Sequence, residues 1–187
     1  MSRAVNKKDR SCRPLFGDSG TATLIEKTSS YPETYFTLNT DGSGNESIII
    51  PGGGFRHHNT SENKVEYEDT DGNVKSLNNL HMNGSKVFNF AINRVPESVS
   101  RVLNLSGLKH SDIDYYLFHQ ANKFVIEKII KKLKINEMKV PRETVGIYGN
   151  QGPASIPSTI SDALNMEVGN KHNKLLLCGF GTGFSWA

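Results

Sequence analysis

Apolar and polar positions along the chain alternate at first and then recur at helical spacing. Residues 1–14 are polar and read as an irregular lead-in. "ATLIEKT" (22–28) reads as a strand, and "YFTLNT" (35–40) as a second strand closed by the turn "DGSGN". "SIIIPGGG" (47–54) is a short apolar run stopped by proline and glycine. Residues 56–80 are polar and partly acidic, which predicts a surface excursion with a little helix. From Ser85 the period changes: Val87, Phe88, Ala91, Val95, Val99, Val102 and Leu103 recur at helical spacing. Pro96 falls inside that pattern and predicts a kink or two helices, the second starting near Pro96; Gly107 ends it. A strand at 114–118, a helix at 121–134 and a strand at 144–150 follow. Then come a helix at 154–168, with Pro157 in its first turn, and a buried strand at 174–180. Helix and strand alternate after an opening hairpin. That order predicts an α/β fold, a mixed and mostly parallel sheet flanked by helices.

In a parallel sheet, the loops after successive strands emerge at one edge, where sites are built. This places His119 of "DYYLFHQANKF", Asn150 and the Gly181–Gly183 loop at one edge, with Asn122 at the start of the next helix. An imidazole, an amide and backbone N–H groups together suit negative charge developing on a carbonyl oxygen. Other candidates are weaker. "GFGTGF" does not open a helix as a dinucleotide loop must. His57 and His58 read as surface loop residues, His81 and His110 as lacking partners, and Ser19 sits outside a G-x-S-x-G elbow. Cys12 and Cys178 match no metal spacing, so no metal site is expected.

Composition narrows the class. A chain of 187 residues, 36% hydrophobic and 22% charged, reads as one soluble domain. No run suits a membrane span and no signal peptide opens the chain, so a reducing, cytoplasmic setting without membrane association is expected. The net charge is only +3, but Lys123, Lys128, Lys131, Lys132, Lys134, Lys139 and Arg142 face two acids between 123 and 142. That stretch is either a solvated helix face or a docking patch for an acidic partner. No aromatic interleaving or motif supports nucleic acid.

"LFGDSGTATLIE", "PGGGFRH", "HMNGSKVFNFAINRVPESV", "DYYLFHQAN", "YGNQGPASIPSTI" and "LLLCGFGTGFSWA" together resemble the C-terminal half of β-ketoacyl-acyl carrier protein synthase III. The resemblance implies one thiolase-like half domain over 1–187, a missing N-terminal half, and a homodimer when complete. It implies no cofactor beyond the thioester substrates, acyl-CoA and malonyl-acyl carrier protein on its phosphopantetheine arm. It implies a decarboxylative Claisen condensation in fatty acid biosynthesis, with His119 and Asn150 stabilising the enolate. Asn122 and Lys123 would then bind substrate, and Gly181 and Thr182 would supply a backbone donor.

The family's nucleophilic cysteine lies before the "FGD" segment, where this chain has only its lead-in, so this chain alone is expected to be inactive. Lys123-Phe124 stands where the family often has Leu-Arg, Gln151 and Pro153 stand in a Thr-Ser-Ala context, and Thr182 replaces a common glycine. The alternative is a non-catalytic carrier-protein-binding half, or a subunit of a specialised-metabolite acyltransferase.

Overall fold

The computed structural model describes residues 1–25, 27, 33–163 and 173–187. Nine short strands are described: β1 (Asn39–Thr40), β2 (Ile48–Ile49), β3 (Tyr67–Glu68), β4 (Val74–Lys75), β5 (His81–Met82), β6 (Tyr115–Phe118), β7 (Leu175–Cys178), β8 (Phe180–Gly181) and β9 (Ser185–Trp186). Four α-helices accompany them: α1 (Gly84–Ser106), α2 (Lys123–Leu133), α3 (Thr144–Tyr148) and α4 (Ser155–Ala163).

The centre is a parallel pair, β6 beside β7, in the register Tyr115↔Leu175 to Phe118↔Cys178. Tyr116, Phe118, Leu176 and Cys178 turn one face of this pair into the main core, beneath α1 and α2. The buried stripe of α1 (Phe90, Ala91, Val95, Val99, Leu103) meets that of α2 (Val125, Ile126, Ile129, Ile130). Leu117, also fully buried, points to the other face, where α4 packs on β6. Helices α1 and α2 each start on an asparagine cap. Asn83 Oδ1 accepts from Lys86 N at 3.0 Å, and Asn122 Oδ1 from Val125 N at 2.9 Å.

Three expectations are corrected. One continuous helix rather than two runs through Pro96, although an interior proline costs about 3 kcal/mol. Val95, Pro96 and Val99 are all buried, so the apolar stripe on both sides holds the helix together; Gly107, at φ 70°, does end it. Residues 144–148 form the one-turn helix α3 rather than a strand, because a short apolar run carries no decisive period. Consequently only two of the three site loops follow parallel strands. Finally, Ala22–Ile25 and Lys27 form no strand, and Leu24 and Ile25 are more than four-fifths exposed. A strand needs a hydrogen-bonding neighbour, and no strand among the described residues pairs with this stretch. Glu26 and Thr28 of that run, and 164–168 of the last expected helix, lie outside the described residues.

Residues 1–14 are irregular but anchored. Val5 and Cys12 are buried with Leu80 in a second small core. Asp9 Oδ1 accepts from the Ser11 and Cys12 backbones at 2.9 Å, and Lys75 Nζ bridges Asp69 at 2.9 Å and Asp9 at 3.8 Å. The 56–80 excursion is largely exposed up to the β3–β4 hairpin, with one 3-10 turn at Glu62–Lys64.

A cavity of neutral donors

A cavity of about 1170 Å³ opens beside the end of β6. His119, Asn122, Asn150, Gly181 and Thr182 all line it, together with Ser155; Lys123 does not. Five of the six residues singled out in the sequence therefore line one cavity.

His119 continues the β6–β7 ladder, donating its N–H to Cys178 O at 2.9 Å. Its ring meets Phe180 edge-on, with centroids 5.2 Å apart, and its Nδ1 lies 2.7 Å from Ser155 Oγ. Burial pushes the imidazole down to about 4, against the weaker opposing pull of a backbone hydrogen bond at Gly152. The ring is therefore neutral at pH 7. Gln120 is fully buried behind it, its Nε2 donating to Phe118 O at 3.0 Å and Pro141 O at 3.2 Å.

Asn150 arrives by a different route. Gly149, at φ 72°, turns the chain out of α3. Asn150 then forms a parallel bridge with Phe16, donating to Leu15 O at 2.7 Å and accepting from Gly17 N at 3.0 Å. Its side-chain Oδ1 accepts from Gly152 N at 2.9 Å. A backbone N–H can only donate, so the amide orientation is settled and Nδ2 is the free end. Asn122 is held likewise, its Oδ1 occupied by the α2 cap. Gly181 and Thr182 belong to the β8–β9 hairpin, whose partner Trp186 also lines the cavity.

Lys123 is exposed and paired with Glu143 at 3.3 Å. Most of the other cations of the basic stretch are also engaged locally. Arg142 pairs with Glu137 at 2.9 Å, Lys128 lies 5.0 Å over the Phe124 ring, Lys132 donates to Asn93 and Lys139 to Ile113 O. The solvated-face reading fits this arrangement better than a preformed docking patch.

Neither cysteine is a nucleophile candidate. Cys178 is buried and its thiol is pushed up to about 12; burial also raises Cys12. His81 and His110 do have partners, contrary to expectation: His81 Nε2 lies 3.0 Å from Ser76 O, and His110 Nδ1 lies 2.7 Å from Tyr116 Oη. Among the described residues no cluster of three or more His, Cys, Asp or Glu could hold a metal, and no helix is long and apolar enough to cross a membrane.

Sequence reasoning missed Ser155 and the Phe16–Gly17 clamp on Asn150. Ser155 opens α4, where a serine reads as an ordinary helix-start residue. The clamp joins segments far apart in the chain and leaves no periodic signal.

Residues 103–187 match the family described as 3-oxoacyl-[acyl-carrier-protein (ACP)] synthase III C terminal. The whole chain is 34% identical to the beta-ketoacyl-[acyl-carrier-protein] synthase III of Streptococcus gordonii and 32% identical to that of Lactococcus lactis, covering 54% of each. The fold superposes on the crystal structure of a 3-oxoacyl-(acyl-carrier protein) synthase from Burkholderia xenovorans with a TM-score of 0.85, at 36% identity, over 99% of this chain and 51% of that one. The chain spans about half the length of the curated relatives it matches. By family match over 103–187 and by likeness along its whole length, the chain is similar to the C-terminal part of 3-oxoacyl-acyl-carrier-protein synthase III proteins.

Proposed function

We propose that this chain supplies the enolate-stabilising side of a decarboxylative Claisen condensation between an acyl-CoA-derived thioester and malonyl-acyl carrier protein. One observation carries the reading: a neutral His119 and an Asn150 whose amide oxygen is already engaged line one cavity with the Gly181–Thr182 backbone. As the malonyl carbon–carboxylate bond breaks, CO2 leaves and the electron pair moves into the thioester, forming an enolate. His119 and Asn150 Nδ2 donate hydrogen bonds to its oxygen, where preorganised neutral donors lower the barrier. The α-carbon then attacks the acyl thioester, a carbon–carbon bond forms and the thiolate leaves. The backbone near Thr182 would steady the tetrahedral oxyanion, and Asn122 the pantetheine arm. Cys12 and Cys178 are both buried with raised thiols, so the acylated cysteine comes from outside these 187 residues.

In the active enzyme, His119→Ala and Asn150→Ala should each slow malonyl decarboxylation about 10²–10³-fold, the usual cost of losing one such donor. Release of CO2 from carboxyl-labelled malonyl-acyl carrier protein measures it directly. Near-normal release in His119→Ala would remove the proposed role.

A further inference from the structure

We infer that Ser155 is a positioning residue that sets the His119 tautomer: its hydroxyl donates to Nδ1, so that the ring proton resides on Nε2 and is presented away from Ser155. The role given to that proton rests on the reading above; the tautomer itself does not.

The geometry of one hydroxyl carries the inference. Ser155 Oγ lies 2.7 Å from His119 Nδ1, and the Gln120 N–H donates to the same Oγ at 3.3 Å. The oxygen is thus already an acceptor, and its own hydrogen needs somewhere to go. Ser155 is 1% exposed, so water is not at hand. Among the described residues, Nδ1 is the acceptor placed for it. With the opposite tautomer, Nδ1–H would donate to Oγ or to the Gly152 carbonyl, and either way the hydroxyl hydrogen would be buried without a partner among the described residues. An unsatisfied buried donor costs about 1–3 kcal/mol, enough to favour the Nε2–H form by roughly fivefold to over a hundredfold.

The serine is itself held. It is the first residue of α4, entered from the 3-10 turn Gly152–Ala154, and its N–H bonds back to Gly152 O. Thr159, fully buried one turn on, donates its hydroxyl to Ser155 O at 2.8 Å. The positive end of α4 therefore lies beside Nδ1, where it further disfavours an imidazolium. A neutral ring with its acceptor nitrogen occupied can only donate on its other side, which is what an enolate oxygen requires.

The test is long-range proton–nitrogen correlation NMR on the full 187-residue chain labelled with nitrogen-15 in its histidine rings, at pH 7. The wild-type His119 ring should show a protonated Nε2 and an unprotonated Nδ1. Ser155→Ala should convert it to a mixture or to the Nδ1–H form, and Ser155→Thr, which restores a hydroxyl, should return the wild-type pattern. A wild-type ring protonated on Nδ1, donating to Ser155 Oγ or the Gly152 carbonyl, overturns the inference even if every variant fails to fold. So does an unchanged Nε2–H ring in Ser155→Ala. In the active enzyme, Ser155→Ala should lower decarboxylation kcat about 10–100-fold with little change in KM, the size of effect seen when the hydrogen-bond partner of a metal-bound histidine is removed. A raised KM at normal kcat would instead make Ser155 a plain wall residue. If the tautomer is as inferred but His119→Ala still decarboxylates malonyl-acyl carrier protein, the proposed reaction fails while the role of Ser155 on the ring stands.

Discussion

Gly17→Ala should displace Asn150 without touching it. Gly17 N donates to Asn150 O at 3.0 Å and Asn150 N to Leu15 O at 2.7 Å, so two backbone bonds clamp the asparagine to the segment 15–17. A Cβ on Gly17 would lie 1.8 Å from the Tyr148 carbonyl oxygen and 3.0 Å from its carbon. Both are backbone atoms, so no side chain can swing aside. To reach even 3.0 Å from that oxygen the two segments must part by roughly 1 Å or more, which stretches both bonds beyond useful length. Losing two backbone bonds at about 1 kcal/mol each, with part of the cost of leaving their groups unpaired, gives about 2–4 kcal/mol. Urea unfolding measures the loss, and amide exchange at Asn150 and Gly17 locates it. Gly20→Ala is the control: a Cβ there meets nothing within 4 Å, so it should stay within about 0.5 kcal/mol. An unchanged unfolding midpoint in Gly17→Ala, with Asn150 as slow to exchange as before, would refute the clamp.

Two further outcomes follow from burial. The His119 ring titrates near 4 in the folded chain and near 6.5 when unfolded, so on acidification the unfolded chain takes up the proton first. The ring's contribution is therefore fully present above about pH 6.5 and is lost as pH falls towards 4. The loss should be about 2–3 kcal/mol. His119→Gln should flatten that part of the stability profile, and parallel profiles for the two proteins would sink the assignment. Cys12 and Cys178, both buried with raised thiols, should resist alkylation at pH 8 and gain no mass on incubation with short-chain acyl-CoA, yet both should label after denaturation. A stoichiometric acyl adduct on either, seen by intact-mass spectrometry, would relocate the nucleophile into this chain.

The legible parts of the fold were those whose signals are local. The stripes of α1 and α2, the Gly107 stop and the paired strands β6 and β7 all follow from period and punctuation within a dozen or so residues. His119 was legible for the same reason: an apolar strand ending in histidine next to an asparagine helix cap is a contiguous pattern. Asn150 lines the same cavity as His119, but by another path than expected: the strand expected before it is the helix α3. Its true support is a backbone bridge to Phe16, on the far side of the chain's whole middle, and no local pattern encodes that. Pro96 shows the converse failure. Its local rule allows a kink or a second helix; no second helix starts there, because the buried stripe extends on both sides and the packing overrides the propensity. The exposed Leu24 and Ile25 show a third: an apolar run specifies a strand only when something lies alongside it.

The chemistry of the cavity follows from where its acceptors have gone. Asn122 Oδ1 is occupied by the Val125 N–H and Asn150 Oδ1 by the Gly152 N–H, and by the inference above His119 Nδ1 receives the Ser155 hydroxyl. For the two asparagines an ordinary structural device, a helix cap or a tight turn, consumes the atom that could accept; for the histidine a buried serine hydroxyl does so. What each side chain has left to offer is an N–H. None of the three carries charge at pH 7, so the set does not pay the desolvation penalty of a buried cation, and it is already oriented before any ligand arrives. A wall of this kind is matched to a carbonyl oxygen that gains negative charge and mismatched to a ligand that must donate. That selectivity is a property of the donors themselves and of where their acceptors are already engaged.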